Sequence, residues 1–146
     1  MTPDSPDLSV ELVSNPLYLC GVREMASQIA KRLGFTDAQC GQIALAIDEA
    51  LVNIMKHGYE KRLDGRIWLK LRPMTEASGQ ALEVVIEDEA KQVDVCQIKS
   101  RDLADIRPGG LGVHIIKEVM DEVRYEKRPG AGMRLTMIKR QSQPKT

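Results

Sequence analysis

Apolar residues recur along this chain with two different periods, and the change of period predicts the order of its elements. Three segments repeat an apolar residue every three to four positions and predict helices, while five shorter segments alternate apolar and polar residues and predict strands. In chain order we expect a strand at 8–12, helices over 17–33 and 37–58, a strand over 66–73, a hairpin loop over 75–80, a strand over 82–88, a mobile lid over 91–108, a helix over 112–121, and strands at 123–127 and 133–139.

Local signals mark where the predicted helices begin and end. Asn15-Pro16 should end the first strand, and Gly34 suits the C-terminal cap of the first helix. Thr36-Asp37 is typical of a helix N-terminus. Hairpins between neighbouring strands favour a mixed, mostly antiparallel sheet, and the three long helices would cover one of its faces. The expected fold class is therefore an α/β two-layer sandwich.

The size and charge of the chain narrow the classes of function. At 146 residues we expect one domain over 7–140, between a flexible tail at 1–6 and a second tail at 141–146. With 21 basic and 21 acidic residues, there is no electrostatic case for binding nucleic acid or a membrane surface. No apolar run is long enough for a membrane span, and the first residues lack a secretory signal. The cysteines have neither disulfide-framework nor zinc-site spacing, so we expect small buried residues in a reduced, cytoplasmic protein; they are Cys20, Cys40 and Cys96.

The second predicted helix carries the strongest sign of chemistry. Glu49, Asn53 and His57 are spaced so that a carboxylate, an amide and an imidazole share one helix face, opposite an apolar face. About fifty residues later, Gly109-Gly110-Leu111-Gly112 opens the third helix. A polar helix face combined with a glycine-rich loop at a helix start is what a magnesium–nucleotide site needs.

Two further observations refine that interpretation. Asp88 keeps the core-facing parity of its strand, so a carboxylate is expected at the strand end on the core side. The glycines follow a polar loop, which is not the strand–loop–helix context of a dinucleotide-binding motif. No Lys-Ser or Lys-Thr follows Gly112, so the segment is not a Walker loop either.

These motifs together resemble those of the GHKL superfamily of ATPases, which includes gyrase, heat-shock chaperones, histidine kinases and MutL. The closer resemblance is to the anti-sigma-factor serine/threonine kinases of bacterial partner switching, over nearly the whole chain. It implies the Bergerat-type two-layer sandwich. The segments that carry it are Glu49-Ala50-x-x-Asn53 with His57-Gly58-Tyr59, similar to the N box, Ile86-Glu87-Asp88 at the first glycine box, and Gly110-Leu111-Gly112 at the second.

The resemblance implies a role for each matching residue. Asn53 would be the ligand of Mg²⁺, and Glu49 would be the general base that accepts a proton from a serine hydroxyl during attack on the γ-phosphate of ATP. Asp88 would accept a hydrogen bond from the adenine amino group. His57 has an alternative role in packing or capping at the helix end. The residues expected to bind the nucleotide are Asn53, His57, Asp88, Gly110, Leu111, Gly112 and Val113.

Three functions remain open from the sequence. The first is an ATP-dependent serine/threonine kinase and anti-sigma factor, which binds a sigma factor or similar target and phosphorylates a serine on a STAS-type antagonist protein. The second is a catalytically inactive binding module that sequesters a partner. The third, the detached catalytic domain of a histidine kinase, is weaker because nothing before Leu8 could carry a phospho-accepting histidine on a helical hairpin.

Departures from the family pattern support the second function. The glycine that usually follows the adenine-binding aspartate at two residues is Ala90 here. Met133 and Arg134 stand where many relatives have a threonine that contacts adenine, and Thr136 comes later.

The resemblance also implies a homodimer. Trp68, Val85 and Ile138 have the parity of the sheet face that the helices leave open. That face is therefore a candidate surface for self-association or for a target.

Overall fold

The structure is a computed structural model that describes residues 5–92 and 112–141. All but the first two residues of the lid predicted over 91–108 lie outside the described residues, as do Cys96 and the segment Gly109–Leu111. The described elements are β1 (Leu8–Val13), a 3₁₀ turn (Pro16–Tyr18), α1 (Leu19–Arg32), α2 (Asp37–Asn53), a π-helical turn (Ile54–Gly58), β2 (Arg66–Glu76), β3 (Gly79–Asp88), α3 (Gly112–Val119), β4 (Glu122–Lys127) and β5 (Met133–Arg140).

The five strands form one sheet in the order β1-β2-β3-β5-β4. We expected a mixed, mostly antiparallel sheet, and every pairing among the described strands is antiparallel. The register places Leu69, Ile86 and Leu135 side by side across the three central strands. The α/β two-layer sandwich predicted from the sequence is confirmed.

The two faces of the sheet differ in chemistry because side chains alternate along each strand. The inner face packs its apolar side chains with those of the helices into one core. The outer face carries Trp68, Val85 and Ile138, all partly buried, as the parity predicted. It is nonetheless mainly charged. Ion pairs cross between its strands: Glu11–Arg66, Lys70–Glu87, Arg72–Glu83, Glu76–Arg140, Glu122–Arg140 and Arg134–Glu87. A further pair, Arg124–Glu126, lies within β4.

The helix boundaries follow the capping residues. Thr36 and Gln39 form a reciprocal capping box at the start of α2, with the Gln39 N–H donating to Thr36 Oγ1 at 3.1 Å. Gly34 follows α1 with a φ of 98°, in the left-handed region that favours glycine. The first helix was predicted from residue 17, but its first turn is 3₁₀ and the α-helix begins at Leu19.

Two other boundaries differ from the prediction. The hairpin loop expected over 75–80 is a two-residue turn, since β2 and β3 stay paired as far as Glu76 and Gly79. Polarity misled the prediction here, because strands at the solvent end of a hairpin tolerate polar side chains. Helix α3 was expected to reach Asp121, but it ends at Val119 and the Asp121 N–H donates instead to the Ile138 carbonyl of β5.

Candidate active site

Helix α2 presents Glu49 and Asn53 beside the core. Ile43, Ile47 and Leu51 are fully buried, which fixes the rotation of the helix. With that rotation Glu49 and Asn53, one helical turn apart, are only partly buried and remain available to a ligand.

Gly112, the first described residue of α3, lies directly against this pair. A Cβ atom built on Gly112 would stand 2.8 Å from Asn53 Nδ2, 3.2 Å from Asn53 Oδ1 and 3.1 Å from Glu49 Oε2. The start of the third helix therefore meets the polar face of α2 at a distance that a larger residue would disturb. The structure thus brings together Glu49, Asn53 and Gly112 as the sequence predicted.

A cavity of about 480 Å³ opens next to these three residues. The π-helical turn that extends α2 carries Met55 into the core and leaves Lys56 and His57 exposed at the cavity. Val113 also lines it, as predicted, whereas Gly110 and Leu111 lie outside the described residues. The wall is mainly apolar and is formed by Ala50, Ile54, Ile86, Ala90, Tyr125, Met133 and Leu135.

Asp88 stands at the inner end of this cavity and is only 4% exposed. Its Oδ1 accepts hydrogen bonds from the N–H of Ala90 at 2.9 Å and of Met133 at 3.3 Å. Burial raises the pKa of the carboxyl, against the lowering effect of these two N–H donors and of Arg128. Oδ2 accepts no hydrogen bond from a described residue, so it remains an acceptor for a ligand in an otherwise apolar pocket.

Ala90 is accommodated by a glycine across the pocket rim. A Cβ atom on Gly58 would stand 3.0 Å from the Ala90 Cβ, so the methyl group of Ala90 occupies space that a side chain at position 58 would need. Thr136 points to the outer face of the sheet and is buried there. It therefore gives the pocket no hydroxyl group, and Met133 and Leu135 provide an apolar wall instead.

Sequence reasoning missed four polar side chains that line the cavity: Lys56, Glu60, Lys91 and Tyr125. Burial raises the pKa of Tyr125 well above its usual range, and the parity of β4 was a signal that could have placed it. Lys91 and Glu60 face each other with Nζ and Oε1 3.6 Å apart, both largely exposed. This contact spans thirty-one positions of sequence and left no local signal.

The histidine of α3 and the two described cysteines do not line the cavity. His114 is on the surface of α3 and approaches Glu118, one turn on, at 3.7 Å. Cys40 is buried, and burial raises its pKa, whereas the expectation that Cys20 is buried is wrong because its helix face is exposed.

The residues present fit a magnesium–nucleotide group. Among the described residues, no cluster of three histidine, cysteine or carboxylate side chains could hold a metal ion alone. Mg²⁺ is commonly bound by one or two protein oxygens together with substrate phosphates and water, and Asn53 can supply such an oxygen. The close approach of Gly112 leaves room beside Asn53 that a Cβ atom would fill.

A sequence profile of the histidine kinase-like ATPase domain matches residues 12–139, which is most of the chain. The chain belongs to this family. Its relatives include the serine-protein kinase RsbW of Bacillus subtilis strain 168, 27% identical over 138 residues that make up 88% of this chain and 83% of that protein. The serine-protein kinase RsbW of Listeria innocua is 27% identical over 137 residues, covering 88% of this chain and 85% of that protein.

A solved structure supports the same fold. The crystal structure of the RsbU and RsbW domains of a Mycobacterium tuberculosis protein superimposes with a TM-score of 0.62 at 17% identity. The match covers 95% of this chain and 34% of that longer one. The resemblance to the serine/threonine kinases of the GHKL superfamily, first seen in three segments of the sequence, is confirmed by these comparisons. No helix among the described residues is long and apolar enough to cross a membrane.

Proposed function

We propose that this protein is an ATP-dependent serine/threonine kinase that phosphorylates a serine on an antagonist protein and binds a sigma factor or similar regulatory target. The observation that carries the proposal is the contact of Gly112 with both Glu49 and Asn53, beside a cavity that ends at Asp88. An acid, an amide and a close backbone approach are thereby grouped beside a mainly apolar pocket of about 480 Å³. The RsbW relatives, named as serine-protein kinases, support the same reaction.

The nucleotide would be oriented from both ends. Asp88 Oδ2 would accept a hydrogen bond from the adenine amino group, while the apolar wall of Ile86, Met133 and Leu135 excludes water from the ring. The phosphates would extend toward Gly112, whose N–H group lies at the start of α3, where the helix dipole favours negative charge. Asn53 would hold Mg²⁺, which supplies charge neutralisation to the phosphates when bound.

Glu49 would act as the general base of the transfer. Its carboxylate would accept the proton of the serine hydroxyl as the serine oxygen bonds to the γ-phosphorus, while the bond from that phosphorus to the bridging oxygen breaks and ADP leaves. Glu49 is one helical turn from Asn53, so base and metal ligand would act on the same phosphate group. Glu49 is only partly buried, so a protein substrate would be able to approach it.

A second candidate function is an inactive binding module that holds a partner without phosphate transfer. The methyl group of Ala90 against Gly58, and the absence of a hydroxyl group on the pocket side of the described strand β5, favour this alternative. Both changes affect nucleotide affinity and leave Glu49 and Asn53 in place.

The assay that separates the two functions is transfer of label from γ-labelled ATP with Mg²⁺ to a STAS-type antagonist protein from the same genome. Serine label on the antagonist, absent when its acceptor serine is replaced by alanine, supports the kinase. Binding of the antagonist or a sigma factor without any label supports the binding module. We further propose that the protein acts in the cytoplasm and that it is a homodimer. Light scattering at tens of micromolar protein would test the dimer.

A further inference from the structure

Arg128, in the turn between β4 and β5, contacts both the outer face of the sheet and the residue that ends the nucleotide pocket. Its Nε lies 3.1 Å from Glu87 Oε2, and its Cζ stands 5.1 Å from the centre of the Trp68 ring. Its Nη1 donates a hydrogen bond to the backbone carbonyl of Asp88 at 2.7 Å. One side chain thus connects two outer-face residues to the backbone of Asp88.

The turn that carries Arg128 is itself fixed against the end of β3. The Arg128 N–H donates to the Gly132 carbonyl at 3.0 Å, and Gln92 Nε2 donates to the Arg128 and Gly132 carbonyls at 2.7 and 3.2 Å. Gly132 has a φ of 89°, and a Cβ atom on it would stand 1.8 Å from the Asp88 carbonyl oxygen. The turn and Asp88 therefore cannot shift independently.

Glu87, the ion-pair partner of Arg128 on the outer face, is an enclosed carboxylate surrounded by three cations. The Glu87 side chain is 7% exposed and pairs with Lys70 at 2.6 Å and with Arg134 at 3.2 Å besides Arg128. Burial alone would raise the pKa of Glu87, but the three cations outweigh it and lower the pKa, so the carboxylate stays charged and holds Arg128 in place.

We propose that Arg128 is a positioning residue for nucleotide recognition, which couples the Trp68–Glu87 surface to Asp88. The inference rests on the proposed nucleotide site. Arg128 fixes the peptide of Asp88 while the N–H groups of Ala90 and Met133 orient its carboxyl, so the second oxygen stays aimed at the ligand.

The chain offers a matched control and a built-in reporter. Arg134 pairs with the same Glu87 oxygen as Arg128 but donates no hydrogen bond to Asp88. Arg134→Met therefore removes an equivalent ion pair and leaves the hydrogen bond from Arg128 to Asp88 in place. Trp68 is the single tryptophan, so its fluorescence reports on the Arg128 guanidinium stacked on it.

The test is titration of the full chain with ADP and Mg²⁺, by calorimetry and by tryptophan emission. Arg128→Met should weaken ADP binding by up to about tenfold, the effect of one hydrogen bond from a charged donor, since that bond acts on ADP through the position of Asp88. Arg128→Met should also abolish the change in Trp68 emission that ADP causes in the wild type. In Arg134→Met, both the ADP affinity and this emission change should stay close to wild type. Arg128→Lys keeps the charge but cannot reach Glu87 and Asp88 together, so its ADP affinity should lie between those of wild type and Arg128→Met. If Arg128→Met does not fold, Arg128→Lys takes its place in the test.

Three results would overturn the inference. Wild-type affinity in Arg128→Met would show that the hydrogen bond to Asp88 does not position it. An equal loss of ADP affinity in Arg134→Met would show that the ion pairs of Glu87 act only on the fold. A wild type that binds ADP without any change of Trp68 emission would show that the two faces of the sheet are not coupled. A wild type that binds no ADP at all would instead reject the proposed nucleotide site, and with it this inference.

Discussion

Replacing Gly112 with alanine tests the close approach on which the site depends. The new Cβ atom would lie 2.8 Å from Asn53 Nδ2 and 3.1 Å from Glu49 Oε2, whereas ordinary contacts begin at 3.4 Å. The Asn53 amide must therefore move by about 0.6 Å, or α3 must shift. Because a misplacement of about 1 Å near reacting groups commonly costs about a hundredfold in rate, we expect phosphate transfer to fall about ten- to a hundredfold.

The same substitution has a calculable effect on stability. Overpacking costs about 1–3 kcal/mol, while replacing glycine by alanine in a helix gains about 1 kcal/mol at most. The free energy of unfolding of the variant should therefore fall by up to about 3 kcal/mol. For a chain of this size, each kcal/mol shifts the melting temperature by about 2–4 °C. Gly41 in α2 is the matched control, since nothing lies within 4 Å of a Cβ atom built there.

Calorimetric melting measures the stability of both variants, and titration with Mg-ATP measures their nucleotide affinity. We expect Gly41→Ala to gain about 0.5–1 kcal/mol and to bind nucleotide as wild type does, while Gly112→Ala loses both stability and affinity. If Gly112→Ala is stabilised as much as Gly41→Ala and binds Mg-ATP normally, α3 does not lie against Glu49 and Asn53, and the reasoning fails.

Two further predictions concern stability and pH. Tyr59→Phe should lower the free energy of unfolding, measured with urea, by about 1–3 kcal/mol. The Tyr59 hydroxyl donates to the Arg66 carbonyl at 2.5 Å and accepts from the Glu89 N–H at 2.7 Å, and the substitution leaves both partners unpaired. A loss below about 0.5 kcal/mol would contradict this prediction. Burial raises the pKa of Asp88 above the usual 3.8, so its ionisation destabilises the fold as pH rises from that value through the folded pKa. As pH rises through this range, Asp88→Asn should therefore become more stable relative to wild type, and it should lose adenosine binding. If the difference in unfolding free energy between the two proteins stays constant from about pH 4 to about pH 7, the prediction is refuted.

The parts of the fold and site that the sequence predicted are those encoded locally. Glu49 and Asn53 could be placed on one helix face from their spacing alone, and the parity of β3 put Asp88 at the strand end on the core side. The capping box at Thr36 and the glycine after α1 set the helix boundaries in the same local way.

The parts that could not be predicted depend on contacts between distant segments. Arg128 meets Asp88 across forty positions and Lys91 meets Glu60 across thirty-one, so neither contact has a local signature. The parity of β4 indicates which face Tyr125 occupies, but only the pairing of β4 with β5 brings it to the pocket. The β2–β3 hairpin was misjudged because its polar residues, such as Gln80 and Thr75, pair with each other at 3.1 Å and continue the strands.

The most direct test of the proposed chemistry is the rate of serine phosphorylation by Glu49→Gln. Glutamine keeps the size and hydrogen bonding of Glu49 but cannot accept the serine proton, and removing a general base costs about 10²–10⁴ in rate. We predict that transfer of label to the antagonist falls by that factor while ADP and antagonist bind as to wild type. Transfer that survives in Glu49→Gln, with nucleotide binding lost, would show that Glu49 is structural and that the assignment of the base is wrong.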